Sequence, residues 1–207
     1  MDTVHINRSN DKYPGTLHLL ENRAPDRIAA LGSLDLLTAK ALALFCSVKC
    51  PGSLILQTYD LIQKLRQTSV TIVSGFHSPV ERECLTVLLR SENPIIICPA
   101  RGIESMRIPS EYKRPLENGR LLLLSPFTKT ERRATARMAL YRNQFVAALA
   151  EQIFVAYAEP SGKTEQFCPR ILEWQKPFYT FESEANRNLI AMGAKPINEN
   201  YKFDQPM

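Results

Sequence analysis

Short apolar runs, each closed by a polar turn, recur along the chain and alternate with stretches whose apolar residues repeat at helical spacing. The runs lie at 41–45, 70–73, 95–98, 121–124, 153–158 and 178–181. Each is apolar almost throughout, the pattern of a strand covered on both faces of a parallel sheet. Between the first two, Leu54, Ile55, Tyr59, Leu61, Ile62 and Leu65 fall on one face of a predicted helix that Ser53 would cap. Val80, Cys84, Val87 and Leu88 repeat the pattern behind Pro79, which suits a first helical position, with Ser78 as the cap. Thr130 is the expected cap of a long basic helix in which Arg133 and Arg137, four apart, share a face. A helix over 167–174 and another over 185–192, ended by Gly193, complete the alternation. Ahead of all this, 28–31 reads as a short edge strand, 35–37 as one helical turn, and 1–12 as a loose polar end.

Strands alternating with helices in this way predict an α/β fold: a Rossmann-like, doubly wound, mostly parallel sheet with right-handed crossovers. The expected organisation is a short N-terminal extension (1–38), a single Rossmann-like domain (39–197) and a C-terminal tail (198–207). A chain of 207 residues fits one such domain.

Composition narrows the setting. The five cysteines are an odd number, include no CxxC pair and have no histidine cluster beside them, which predicts reduced thiols in a cytoplasmic protein. No spacing of Cys, His or carboxylates suggests a metal, and no cofactor is expected. The first residues lack a cationic-then-apolar signal pattern, and Arg142 and Asn143 interrupt the longest apolar region, so no membrane span is predicted. Charge is uneven. From Arg101 to Arg142, ten Lys and Arg stand against four Glu, an excess larger than the net +5 of the whole chain. That concentration suggests a polyanionic partner; a solvated face with scattered arginines is the alternative.

Ligands of open parallel sheets bind outside the carboxyl ends of the strands. Four places at such ends carry suitable chemistry: the turn 46–52 with Ser47 and Lys49; the turn 74–79 with Ser74, Gly75, Phe76 and His77; the helix with Arg137, Arg142 and Asn143; and the turn with Ser161, Gly162, Lys163 and Thr164. Unpaired N–H groups at helix starts, hydroxyls and cations together suit phosphate. Phe76 is the candidate to stack on a nucleobase, whereas Phe167 and Trp174 read as core. Taken singly, these are also ordinary turn residues. The Ser-Gly-Lys-Thr turn is not a P-loop, because Ala158, Glu159 and Pro160 stand where its upstream glycine would be. A hydrolytic pair of His77 with Ser74 or Ser161 is a further alternative.

The order of these motifs resembles the core of the DNA-processing protein A (DprA/Smf) family. The matching stretches are VTIVSGF (70–76), NPIIICPARGIE (93–104), GRLLLLSPF (119–127), RNQFVAALAEQIFVAYAEPSGKTE (142–165) and NLIAMGAKPI (188–197). YPGTLHLL resembles the family's lead-in, so the likeness runs from about Tyr13 to Ile197. It implies a Rossmann-like core, non-enzymatic binding of single-stranded DNA in a basic pocket, self-association and loading of a RecA-type recombinase. Arg142 and Asn143 take the family's anion-contacting positions; Ser74-Gly75 and Ser161-Gly162 take its loop positions. Three motifs depart. Cys46-Ser47-Val48 replaces Gly-Ser-Arg, with Lys49 adjacent; Pro79-Val80-Glu81 replaces Gly-Ile-Asp; and Gln144 replaces the second arginine of Arg-Asn-Arg. No C-terminal winged helix is expected after Gln205. A nucleotide sensor, or a phosphoribohydrolase-like enzyme of the same fold, is the second reading, on a loose likeness of 160–165 to that family's glycine-rich turn. A scaffold that binds only protein is the third.

Overall fold

Every residue of Ala41–Cys46 (β3) is buried, so this strand has no solvent face and lies at the centre of a sheet. In the computed structural model, which describes residues 2–198 and 200–203, the sheet has nine strands. Chain order gives Val4–Asn7 (β1), Arg27–Gly32 (β2), β3, Thr71–Ser74 (β4), Ile95–Ile97 (β5), Leu121–Ser125 (β6), Gln152–Tyr157 (β7), Phe178–Phe181 (β8) and Lys195–Ile197 (β9). Their spatial order is β1-β2-β6-β5-β4-β3-β7-β8-β9. β3 pairs in parallel with β4 on one side and β7 on the other; from β6 to β9 the sheet is wholly parallel. β1 and β2 extend the edge beyond β6 as antiparallel strands. Residues 4–32, expected within a short extension, thus contribute two strands to the same sheet.

Among the described residues six α-helices cover the faces: Gly52–Leu65 (α1), Pro79–Leu89 (α2), Ser110–Glu117 (α3), Ala136–Leu149 (α4), Lys163–Glu173 (α5) and Arg187–Met192 (α6). Side chains alternate across a strand, and β3 shows the consequence. Ala41, Ala43 and Phe45 pack with Phe145, Val146, Phe167, Ile171 and Leu189 of α4, α5 and α6. Leu42, Leu44 and Cys46 pack with Leu54, Leu61, Val80, Cys84, Leu88 and Leu116 of α1, α2 and α3 on the opposite face. The chain is doubly wound about β3, and its crossovers diverge there. Tyr201 and Phe203, expected in a tail, pack against Tyr179.

Several local expectations are corrected. α1 begins at Gly52 after Pro51, with no side-chain cap from Ser53. Its buried stripe is Leu54, Thr58, Leu61, Ile62 and Leu65; Ile55 and Tyr59 are exposed, and the Thr58 hydroxyl donates to Leu54 O at 2.6 Å. α4 starts at Ala136, capped by Thr135, rather than after Thr130. The cause is a closed local turn. Glu131 Oε2 accepts from Thr128 N and from the Thr128 hydroxyl, and Glu131 N donates to Thr128 O, which gives this backbone an alternative to the helix. Arg133 therefore lies outside the helix and shares no face with Arg137. β1, α3 and β9 were not expected. β1 buries only Ile6, the short α3 carries Pro115 within it, and Pro196 sits on an edge strand, where a missing N–H is tolerated. The expected Ser78 cap is present as a full capping box with Glu81.

Candidate anion-binding cleft

Where crossovers diverge at the carboxyl end of a doubly wound sheet, the loops part and leave a crevice. Here it is a cleft of about 510 Å³. Its walls come from the end of β3 (Phe45, Cys46), the turn after β4 (Gly75, His77, Ser78), the first turn of α2 (Glu81) and the turn after β5 (Pro99, Ala100, Arg101). Thr135 at the cap of α4, Arg142 and Asn143 in the middle of that helix, and Lys163 and Thr164 at the start of α5 close it. α2, α4 and α5 all begin on this cleft, so three positive helix ends and their first-turn N–H groups surround it. The register of β3 against β7 shifts between Phe45 and Cys46, at the point where β3 enters the cleft.

Arg142 is the buried cation of the site, only 4% exposed. Its Nη1 donates to Cys98 O at 3.1 Å and its Nε to Asn143 Oδ1 at 2.8 Å; Nη2 has no hydrogen-bond partner among the described residues. Burial draws the guanidinium below its ordinary pKa, and the Glu81 carboxylate acts in the opposite sense. The guanidinium rests against Gly75, where a Cβ would stand 1.3 Å from Nη1. Arg101 and Lys163 are exposed and line the cleft from the loops after β5 and β7, strands separated in the sheet by β4 and β3.

Glu81 is also buried, at 6% exposure, and its carboxylate is fully engaged. Oε1 accepts from Cys46 N at 2.9 Å; Oε2 accepts from His77 N at 2.7 Å and from Ser78 N at 3.2 Å. Sequence reasoning treated Glu81 only as a departure from a glycine-containing motif. Its spacing three residues after Ser78 was the available signal, since that is the reciprocal capping arrangement. Arg101 was likewise not singled out, although it stands in the turn after an apolar run.

Of the residues expected at the site, Gly75, His77, Arg142, Asn143, Lys163 and Thr164 line one cleft. Others lie elsewhere or are committed to the fold. Ser74 is fully buried; its hydroxyl donates to Leu44 O at 2.7 Å and accepts from Phe76 N at 3.2 Å. Phe76, expected to stack on a base, is 5% exposed and packed with the α1 and α2 side of the core, held at a φ of 46°. It has no ring face to offer. Ser47 is buried and its hydroxyl accepts from Glu159 N at 3.0 Å. Lys49 and Arg137 are exposed but outside the cleft lining. Ser161 N donates to Glu165 Oε2 at 2.6 Å and Gly162 N to Glu159 O at 2.8 Å, so neither amide is bare. Neither hydroxyl weighed as a partner of His77 is available to it: the Ser74 hydroxyl is bonded to Leu44 O, and Ser161 is not part of the lining. Arg120, from the basic segment, turns inward and donates to Leu89 O at 2.6 Å, at the last residue of α2. Gln144 accepts from Arg23 Nη1 at 2.7 Å. No group of three His, Cys, Asp or Glu side chains among the described residues is placed to hold a metal ion. No described helix is long and apolar enough to cross a membrane.

The fold and cleft define the class: a doubly wound α/β domain with a partly buried cationic site at the switch point of its sheet. Over residues 4–204 the sequence matches the family of DNA recombination-mediator protein A, and the chain belongs to that family of DNA-processing and recombination proteins. Its structure is similar to DNA processing protein A (DprA) from Streptococcus pneumoniae, with 22% identity and a TM-score of 0.79 over 94% of this chain and 71% of that one. DNA processing protein A from Helicobacter pylori, described for its single-stranded DNA binding mode, gives 19% identity and 0.75 over 94% and 90%. The molybdenum cofactor carrier protein from Chlamydomonas reinhardtii gives 11% and 0.52 over 77% and 91%. Identities this low speak to the fold. No curated protein matches the sequence significantly.

Proposed function

We propose that the cleft binds single-stranded DNA through its phosphates and that the protein acts in DNA processing and recombination without catalysing a reaction. One observation carries this reading: the exposed Arg101, after β5, and Lys163, after β7, line one cleft with the buried Arg142, across the two strands β4 and β3 that lie between, at a point where three helices begin. Exposed cations on two walls suit a chain that passes across the cleft, neutralising successive phosphates. Family membership and the single-stranded DNA binding mode of the Helicobacter pylori protein support the same ligand. Self-association and loading of a RecA-type recombinase, in the cytoplasm, belong to this reading as consequences of the family resemblance. The nucleotide-processing alternative is weaker, because Glu165, the acid of its turn, is held by Ser161 N and Asn188 Nδ2.

Fluorescence anisotropy with single- and double-stranded oligonucleotides across a salt series tests the proposal. The expected result is preference for the single strand, with affinity falling as salt rises, and at least tenfold weaker binding by Arg142→Ala. Equal binding of both forms, or an Arg142→Ala protein that binds like the wild type, would overturn it. Size-exclusion chromatography with light scattering reads the oligomeric state, and a pull-down with a RecA-type recombinase reads the partner.

A further inference from the structure

Three backbone N–H groups converge at the floor of the cleft. Cys46 N comes from the end of β3, and His77 N and Ser78 N from the turn into α2. Convergent amides at a helix start form an anion cradle. The anion in this cradle is the protein's own. The Glu81 carboxylate receives all three bonds at 2.7–3.2 Å, lines the cleft and is itself buried. Arg142, buried on the same cleft with Nη2 unpartnered among the described residues, is a second donor there, and a charged one. The floor therefore has the donors for a phosphate, but its central position is already filled by fixed negative charge.

A carboxylate with three amide bonds occupies the place a phosphate oxygen would take, and it repels any anion pushed down beside it. A terminal phosphate carries close to two negative charges near neutral pH, as phosphomonoesters do. To gain more than rim contacts, it would have to insert its oxygens into the cradle. An internal phosphodiester carries one charge and needs only the rim cations and Arg142. We propose that Glu81 is a specificity-determining residue: a built-in anion that closes the cradle to terminal phosphates and leaves the cleft selective for internal phosphodiesters. This rests on the reading of the cleft as a single-strand site.

Anion rescue of Glu81→Ala is the test, followed by thermal melting and by isothermal titration with inorganic phosphate and with deoxythymidine monophosphate. Without added anion the variant should melt lower than the wild type, because three buried amides lose their acceptor. Phosphate should raise its melting temperature in a concentration-dependent manner and bind at least tenfold more tightly than to the wild type, whose melting temperature it should leave unmoved. Glu81→Gln, which keeps the side chain's volume and loses its charge, should show a smaller gain of the same sign. The inference fails if neither variant gains phosphate affinity, if phosphate does not restore a Glu81→Ala protein that is otherwise unfolded, or if the wild type already binds phosphate as tightly. None of these measurements contains DNA. A wild type that ignores oligonucleotides would sink the single-strand reading and leave the result on the cradle standing.

Discussion

The guanidinium of Arg142 lies over the α-carbon of Gly75 so closely that a Cβ there would stand 1.3 Å from Nη1 and 1.9 Å from Cζ. Two sequence motifs far apart in the chain are thus one physical unit: the missing side chain at 75 is the space in which the cation sits. Gly75→Ala should displace the guanidinium from Cys98 O without collapsing the fold, since the obstructing atoms are the end of a long side chain. Binding of a single-stranded oligonucleotide should weaken about as much as in Arg142→Ala. The double variant should be no worse than either single one, a strong departure from additivity that a double-mutant cycle detects. Additive losses would separate the two residues.

The rim cations make a prediction that salt reads directly. Removing one cation that neutralises a single-strand phosphate makes the slope of log K against log salt shallower by about 0.7. Lys163→Ala and Arg101→Ala should each reduce the slope by roughly that amount. Arg137→Ala and Lys49→Ala, exposed outside the cleft lining, should leave it within error. A slope that falls equally for all four variants would mean diffuse attraction to a basic surface rather than a cleft.

What was legible in the sequence follows from where burial imposes pattern. β3 and β7 are covered on both faces, so nothing but apolar residues fits along most of their length, and such runs are readable without knowing their neighbours. The Ser78-Pro79 start of α2 was equally plain, because a serine cap followed by proline at the first helical position is a local arrangement. Site residues were harder. Strand-end position brought Gly75, Arg142 and Lys163 to one cleft, yet the same criterion also selected Ser74 and Phe76, which point into the core. A turn residue's direction depends on φ, and no rule of spacing reports the 46° of Phe76. The spacing of Glu81 from Ser78 is local and readable, but its bond to Cys46 N is not, because that amide belongs to a separate strand and meets the carboxylate only after folding.

Phe76 gives a prediction opposite to the one its position suggests. If the ring is core, Phe76→Ala should cost about 3–5 kcal/mol of stability, as large-to-small core changes do. Phe76→Leu should cost much less, and oligonucleotide affinity measured well below the melting temperature should survive in it. Chemical denaturation and anisotropy on the same samples separate the two effects. A Phe76→Leu protein of near wild-type stability that has lost affinity would restore the stacking role.

The helix that carries Arg142 is pinned at its far end by Lys176. Nζ donates to Ala147 O at 2.9 Å and Ala148 O at 2.7 Å, and also to Ala150 O. A cation at these last carbonyls is favoured by the helix dipole. Burial opposes it and pushes the ammonium down from 10.5 to about 8, with Glu151 acting the other way. The sign follows from proton counts. Below pH 8 both states hold the proton; from there to about pH 10.5 the unfolded chain holds more protons than the native one, so this group makes the protein more stable as pH rises. Partial exposure limits the gain to about 1–2 kcal/mol. Lys176→Met should be less stable than the wild type at pH 7, because three carbonyls lose their donor, and the gap should widen toward pH 10. Urea midpoints at pH 7, 8, 9 and 10 read this gap, with groups common to both proteins cancelling in the difference. A gap that stays constant would mean that the three carbonyls outweigh burial and hold the ammonium charged throughout.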